Sequence, residues 1–94
     1  MDFQLTGKTA LVTGASRGIG AGTVKVLASD GVKCVITARR ITLLEELADE
    51  IESSGGVRPI PIPADLFEPD APRKLAQKAE QALGHVDILV NSAG

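Results

Sequence analysis

Thr13-Gly14-Ala15-Ser16-Arg17-Gly18-Ile19-Gly20 sets glycines at 14, 18 and 20 around a serine and an arginine. Each glycine suits a separate task at an anion site. Gly14 lets a chain leave a strand through a tight turn that a side chain would obstruct. Gly18 opens the backbone at the mouth of a helix, where free N–H groups and the helix dipole favour phosphate or diphosphate. Gly20, with no Cβ, lets that helix pack closely on a sheet. Ser16, Arg17 and Ile19 complete the candidate contact set of this turn. A Walker-type loop does not fit, because neither Lys-Ser nor Lys-Thr follows the last glycine.

A second group lies about twenty residues further on, where dinucleotide-binding folds discriminate between their ligands. An acid at that point accepts hydrogen bonds from a ribose 2′-hydroxyl and repels a 2′-phosphate. Ala38-Arg39-Arg40 stands there instead, with no carboxylate. A guanidinium makes charge-assisted, often bidentate contacts to phosphate. Arg39 together with Arg17 therefore points to a phosphorylated ribose, NADP(H) rather than NAD(H). Arg40 is evenly balanced between that role and an ordinary solvated surface charge.

These groups need a scaffold, and the apolar pattern supplies one. Thr9-Ala10-Leu11-Val12 reads as a buried strand that ends at the glycine turn. Ile19, Thr23 or Val24, and Leu27 recur at helical spacing as far as Asp30-Gly31. Cys34-Val35-Ile36-Thr37-Ala38 is a second strand without polar alternation, as in parallel sheets covered on both faces. Thr42 followed by Glu45 has the form of a capping box, with Leu44, Leu47, Ala48 and Ile51 as the apolar stripe. Ser53-Ser54-Gly55-Gly56 ends that helix. Val57 to Ala64 reads as a strand despite Pro59, Pro61 and Pro63. Their spacing of two puts every missing donor on one side, which confines the strand to a sheet edge. Asp70 is placed to cap a third helix, with Pro72 in its first turn and a stripe of Leu75, Ala76, Ala79 and Leu83 ending at Gly84. Val86 to Val90 is the last strand. Strand and helix alternate throughout, which predicts an α/β parallel sheet with right-handed crossovers.

The 94 residues allow at most one small domain, and 44% hydrophobic content is that of a globular chain. A formal charge of −2, with acids and bases intermixed, gives no basic stripe for nucleic acid. The apolar runs are too short to span a membrane, and the first residues lack the plan of a secretory signal. Cys34 is the only cysteine and cannot form an internal disulfide, which fits a reducing cytoplasm. In its apolar strand it reads as a small core residue. No cluster of residues has metal-ligand spacing. His85 reads as a surface turn residue without a partner, and Asp87 as structural.

The Thr-Gly-x-x-x-Gly-Ile-Gly spacing resembles the short-chain dehydrogenase/reductase family. Asp65 after the third strand, and Asn91-Ser92-Ala93-Gly94 after the fourth, fall where that family has an adenine-contacting aspartate and an Asn-Asn-Ala-Gly motif. The resemblance runs in order from about Gly7 to Gly94. It implies a Rossmann-type doubly wound sheet of strand order 3-2-1-4, with residues 1–94 as the N-terminal, cofactor-binding half of a single domain. By the same resemblance, Asp65 and Leu66 lie beside the adenine, and Asn91, Ala93 and Gly94 join the cofactor site. Ser92 departs from the pattern, because asparagine is usual there; any side-chain contact at that position is not carried over.

The family passes hydride between nicotinamide and a carbonyl or alcohol substrate, using a tyrosine, a lysine, a serine and an asparagine. All of these follow the Asn-Asn-Ala-Gly motif in family order, and this chain contains no tyrosine. No residue here is therefore assigned a catalytic role. The expectation is an NADP(H)-binding portion of a longer oxidoreductase that is homo-oligomeric when full-length, with the Ile88-Leu89-Val90 edge left open to further strands. A non-catalytic nucleotide sensor is the alternative. A Tyr-x-x-x-Lys motif in a connected segment would distinguish the two.

Overall fold

The computed structural model describes residues 5–92. Strands and helices alternate as β1 (Thr9–Thr13), α1 (Gly18–Ser29), β2 (Lys33–Thr37), α2 (Ile41–Ser53), β3 (Ile60–Pro61), α3 (Ala71–Leu83) and β4 (Ile88–Asn91). All strand pairs are parallel, and the order across the sheet is β3-β2-β1-β4. This is the doubly wound α/β order expected from the sequence.

Successive side chains on a strand point to opposite faces, and here both faces are covered. Ala10 and Val12 of β1, with Cys34 and Ile36 of β2, pack against Val24 and Ala28 of α1 and against Leu44, Leu47 and Ile51 of α2. Leu11 and Val35 face the other way, onto Leu75 and Ala79 of α3. A sheet buried on both sides explains why β1 and β2 carry no polar alternation. Burial pushes the Cys34 thiol up to about 11, in keeping with an inert core residue.

The helices differ from expectation mainly at their ends. In α1 the buried stripe is Gly20, Val24 and Ala28, whereas Ile19 is 82% exposed. Ile19 is therefore not a core residue of α1. In α2 the stripe of Leu44, Leu47, Ala48 and Ile51 is buried as expected. The capping box is absent, because the helix starts two residues earlier than Thr42 as N-cap would require. Arg40 is the N-cap and Thr42 already lies inside the first turn, where its hydroxyl caps nothing. Asp70 does hold the N-cap position of α3, but its carboxylate makes no cap bond and lies 3.5 Å from Arg73. Leu75 and Ala79 are buried and Leu83 half-buried, while Ala76 is exposed; Gly84 ends the helix as expected.

β3 lies at one edge of the sheet and is shorter than the sequence pattern suggests. Its connection to β2 nevertheless extends further, through Ile62 N–H to the Ile36 carbonyl at 2.9 Å and Ala64 N–H to the Ala38 carbonyl at 3.0 Å. Ile62, between two prolines, and Ala64, after the last, thus supply the donors that the spacing of two leaves on this side. At the opposite edge, Leu89 of β4 is 67% exposed.

β4 is fastened at its start by a cluster under β1. The Asp87 carboxylate accepts from the Thr9 backbone N–H at 3.0 Å, and the Thr9 hydroxyl donates to the His85 carbonyl at 2.7 Å. His85, expected to be without a partner, places Nε2 3.1 Å from the same Asp87 oxygen. The Thr9 backbone bond, with the charge of His85 assisting, holds the Asp87 carboxyl below its ordinary value. No helix among the described residues is long and apolar enough to cross a membrane.

Candidate functional site

The carboxyl ends of the strands open onto one cleft of ≈ 1170 Å³. It lies where the strand order reverses about β1, the place at which open α/β sheets receive their ligands. Gly14, Ser16, Arg17, Gly18, Ile19 and Gly20 line it from the turn after β1. Arg39 lines it from the end of β2, Asp65 and Leu66 from the end of β3, and Asn91 from the end of β4. The structure therefore brings together ten of the candidate residues named from the sequence. Ala93 and Gly94 lie outside the described residues. A second hollow of ≈ 240 Å³ lies on the α3 side, beside Lys74 and Lys78, and shares Ala64 and Asp65 with the cleft.

The glycine turn is held from two sides. Ala15 N–H donates to the Thr37 carbonyl at 3.1 Å, which ties the turn to β2. On the other side, the Ser92 hydroxyl donates to the Thr13 carbonyl at 2.5 Å, and the Thr13 hydroxyl donates to Asn91 Oδ1 at 2.9 Å. Ser92, whose side chain the family pattern left unassigned, thus fastens the end of β4 to the end of β1. Asn91 in turn spends its carbonyl oxygen on Thr13.

Gly14 and Gly18 both have φ near 63°, in the left-handed region that favours glycine. Beside Gly18 the space is open, with no heavy atom within 4 Å of where a Cβ would stand. Gly20 is the reverse case, since its missing Cβ would collide with the Gly14 carbonyl and the Ser92 hydroxyl. Close helix–sheet packing at Gly20 brings the start of α1 to the turn.

The electrostatics suit an anion. Arg17 is the N-cap of α1 in extended conformation, no side chain caps that helix, and its first turn contains no acid. Its leading N–H groups are thus left for a ligand or water. Arg17, Arg39 and Arg40 are all exposed at the cleft, and Arg40 also begins α2, whose first turn likewise holds no acid. Asp65 is the carboxylate of the cleft lining. One of its oxygens accepts the Phe67 N–H at 3.1 Å, which gives it a part in shaping the turn after β3. An open backbone at Gly18, uncapped helix N–H groups and arginines together fit a phosphate-bearing anion. Among the described residues, no group of His, Cys, Asp and Glu could hold a metal ion.

Sequence reasoning missed several lining residues. Thr37 and Leu43 border the cleft near β2, beside Ala38 of the strand-end triplet, and Ala64, Phe67 and Ser92 border it elsewhere. Thr37 stands out because its buried hydroxyl has no hydrogen-bond partner among the described residues. For Phe67 the available signal was an aromatic in a loop directly after a strand end. Nothing periodic marks such a position.

Residues 8–94 match the family model described as short chain dehydrogenase. A short chain dehydrogenase of Pseudocercospora fijiensis is 50% identical over 91 residues, which are 97% of this chain and 29% of that protein. The versicolorin reductase of Emericella nidulans is 43% identical over 94 residues, covering 99% of this chain and 35% of the relative. Among solved structures, a metagenomic short-chain oxidoreductase in complex with NADP superposes with a TM-score of 0.88 at 42% identity. That match covers 95% of this chain and 40% of the other. The chain thus spans 29% and 35% of the length of these two curated relatives. Matching motifs, matching strand order and a family match over nearly the whole sequence agree: the chain belongs to the short-chain dehydrogenase family.

Proposed function

We propose that this chain forms the NADP(H) site of an oxidoreductase acting on a small carbonyl or alcohol substrate. The observation that carries the reading is the convergence of Arg17 and Arg39 on the cleft of the glycine turn, with Ala38 where an acid would select NAD(H). The backbone at Gly18 and the uncapped start of α1 hold the diphosphate. Arg39 and Arg17 hold the 2′-phosphate, and Arg40 adds positive charge at the same mouth. Asp65, Leu66 and Asn91 border the adenosine end; Ala93 and Gly94, outside the described residues, join the site by the family motif alone. The bound nicotinamide supplies hydride chemistry. The described residues bind and orient; none of them transfers a proton.

The solved relative in complex with NADP supports the cofactor class, and relatives named as dehydrogenases and reductases support an enzyme over a sensor. A free, buried Cys34 accords with a cytoplasmic location. Arg39→Asp tests the cofactor choice in the full-length protein. NADPH affinity should fall by about tenfold or more, as for loss of a charge-assisted bond, with NADH affinity much less affected. Equal losses for both dinucleotides would remove the assignment.

A further inference from the structure

Phe67 is the most exposed large hydrophobic residue among those described, with 93% of its surface accessible. It lies on the Asp65–Glu68 turn, six residues past β3, and lines the same cleft as Arg39, Arg40 and Leu43 from the β2 side. Its backbone is held in place: Phe67 N–H donates to Asp65 Oδ1 at 3.1 Å, and Glu68 N–H to the Asp65 carbonyl at 3.0 Å. The neighbouring Leu66 is half-buried and packs toward the core cluster of Leu11, Val35, Leu75 and Ala79. At this end of the cleft the free apolar surface therefore belongs to Phe67 rather than to Leu66.

We propose that Phe67 is a stacking face for the planar base of the ligand, an inference that rests on the dinucleotide reading of the cleft. An aromatic ring and a heteroaromatic base attract through their π faces, and such stacking tolerates solvent at the ring edge. Exposed guanidinium groups at the same mouth reinforce it, since arginine associates with π faces as well as with phosphate. The ring presents a face whose exposure serves no packing purpose within the described residues. A base there would lie next to Arg39, so that its attached ribose phosphate reaches the guanidinium. Phe67 thus sets affinity at the base end, while the glycine turn sets it at the diphosphate end.

The experiment uses the full-length protein and two probes, 2′,5′-ADP and inorganic diphosphate, which has no base. Binding is measured by calorimetry for wild type, Phe67→Ala, Phe67→Leu and Phe67→Trp. Phe67→Ala and Phe67→Leu should weaken 2′,5′-ADP about tenfold, Phe67→Trp should preserve it, and diphosphate binding should not change. Adenine H2 and H8 resonances of bound 2′,5′-ADP should shift upfield with Phe or Trp at position 67 and not with Leu. Thermal unfolding should not change in any variant, because the ring is exposed. Unchanged 2′,5′-ADP affinity in Phe67→Ala, beside normal wild-type binding, would overturn the inference and leave the dinucleotide reading standing. Parallel loss of both probes would also overturn it, as damage to the whole cleft. Failure of wild type to bind 2′,5′-ADP would overturn both.

Discussion

Gly20 of α1 and Ser92 after β4 meet at the base of the cleft, so closely that a Cβ on Gly20 would stand 2.5 Å from the Ser92 hydroxyl. That hydroxyl is already committed to the Thr13 carbonyl, and the Gly14 carbonyl closes the other side. Neither neighbour has a flexible end that could move away. Gly20→Ala should therefore force α1 off the sheet and cost about 1–3 kcal/mol, the usual penalty for overpacking. Dinucleotide affinity should fall with it, because the same shift displaces the start of α1. Chemical denaturation and calorimetry check the two effects, and an unchanged midpoint would show that the helix is not seated as described.

Thr37 presents the opposite situation. It is 1% exposed and its hydroxyl has no partner among the described residues. A buried polar group left unsatisfied costs about 1–3 kcal/mol, and an apolar group of the same shape removes that cost. Thr37→Val should consequently leave the melting temperature of the unliganded protein unchanged or raise it. A clear loss of stability would mean that the hydroxyl is bonded in the native protein.

Asp87 gives a pH-dependent outcome. Its carboxyl is held below the ordinary value chiefly by the Thr9 backbone N–H, so the folded protein binds this proton less readily than the unfolded chain. The stabilisation is complete above the ordinary carboxylate range and disappears as pH falls through the lower folded value. Asp87→Asn should be less stable than wild type at neutral pH. The two melting curves should converge in acid, below about pH 4. A difference that persists unchanged in strong acid would assign the loss to packing rather than to charge.

Much of the fold was legible because buried parallel strands and amphipathic helices leave distinct periods. Cys34 to Thr37 showed itself as a strand, and Leu44, Leu47, Ala48 and Ile51 as one helix face. The prolines at 59, 61 and 63 placed β3 at an edge, since only an edge tolerates a row of missing donors. Three features were not legible, each for a tertiary reason. The sequence put Ile19 both in the contact set of the turn and in the apolar stripe of α1, but close packing at Gly20 turns the stripe Gly20-Val24-Ala28 toward the sheet, so that Ile19 lines the cleft and is not core. Thr42 and Glu45 match a capping box locally, yet α2 starts at Ile41 with Arg40 as its N-cap. The partnership of His85 and Asp87 depends on β4 lying beside β1, so that both residues gather around Thr9.

The site was more legible than the helix ends. Turn glycines and strand-end arginines carry their chemistry in residue type and spacing, and the sheet order then brings them together. Phe67 escaped because its exposure follows from packing around the Asp65–Glu68 turn, which no local pattern records; the burial of Thr37 was legible in its strand, but its place at the cleft was not.

On the proposed function, the cleft of Gly14, Arg17, Gly18 and Arg39 binds a 2′-phosphorylated pyridine dinucleotide. Calorimetric titration of the full-length protein with NADPH and then NADH tests it most directly. Saturable one-site binding is expected, with NADPH at least about tenfold the tighter. Absence of binding by either dinucleotide, or tighter binding of NADH, would contradict it.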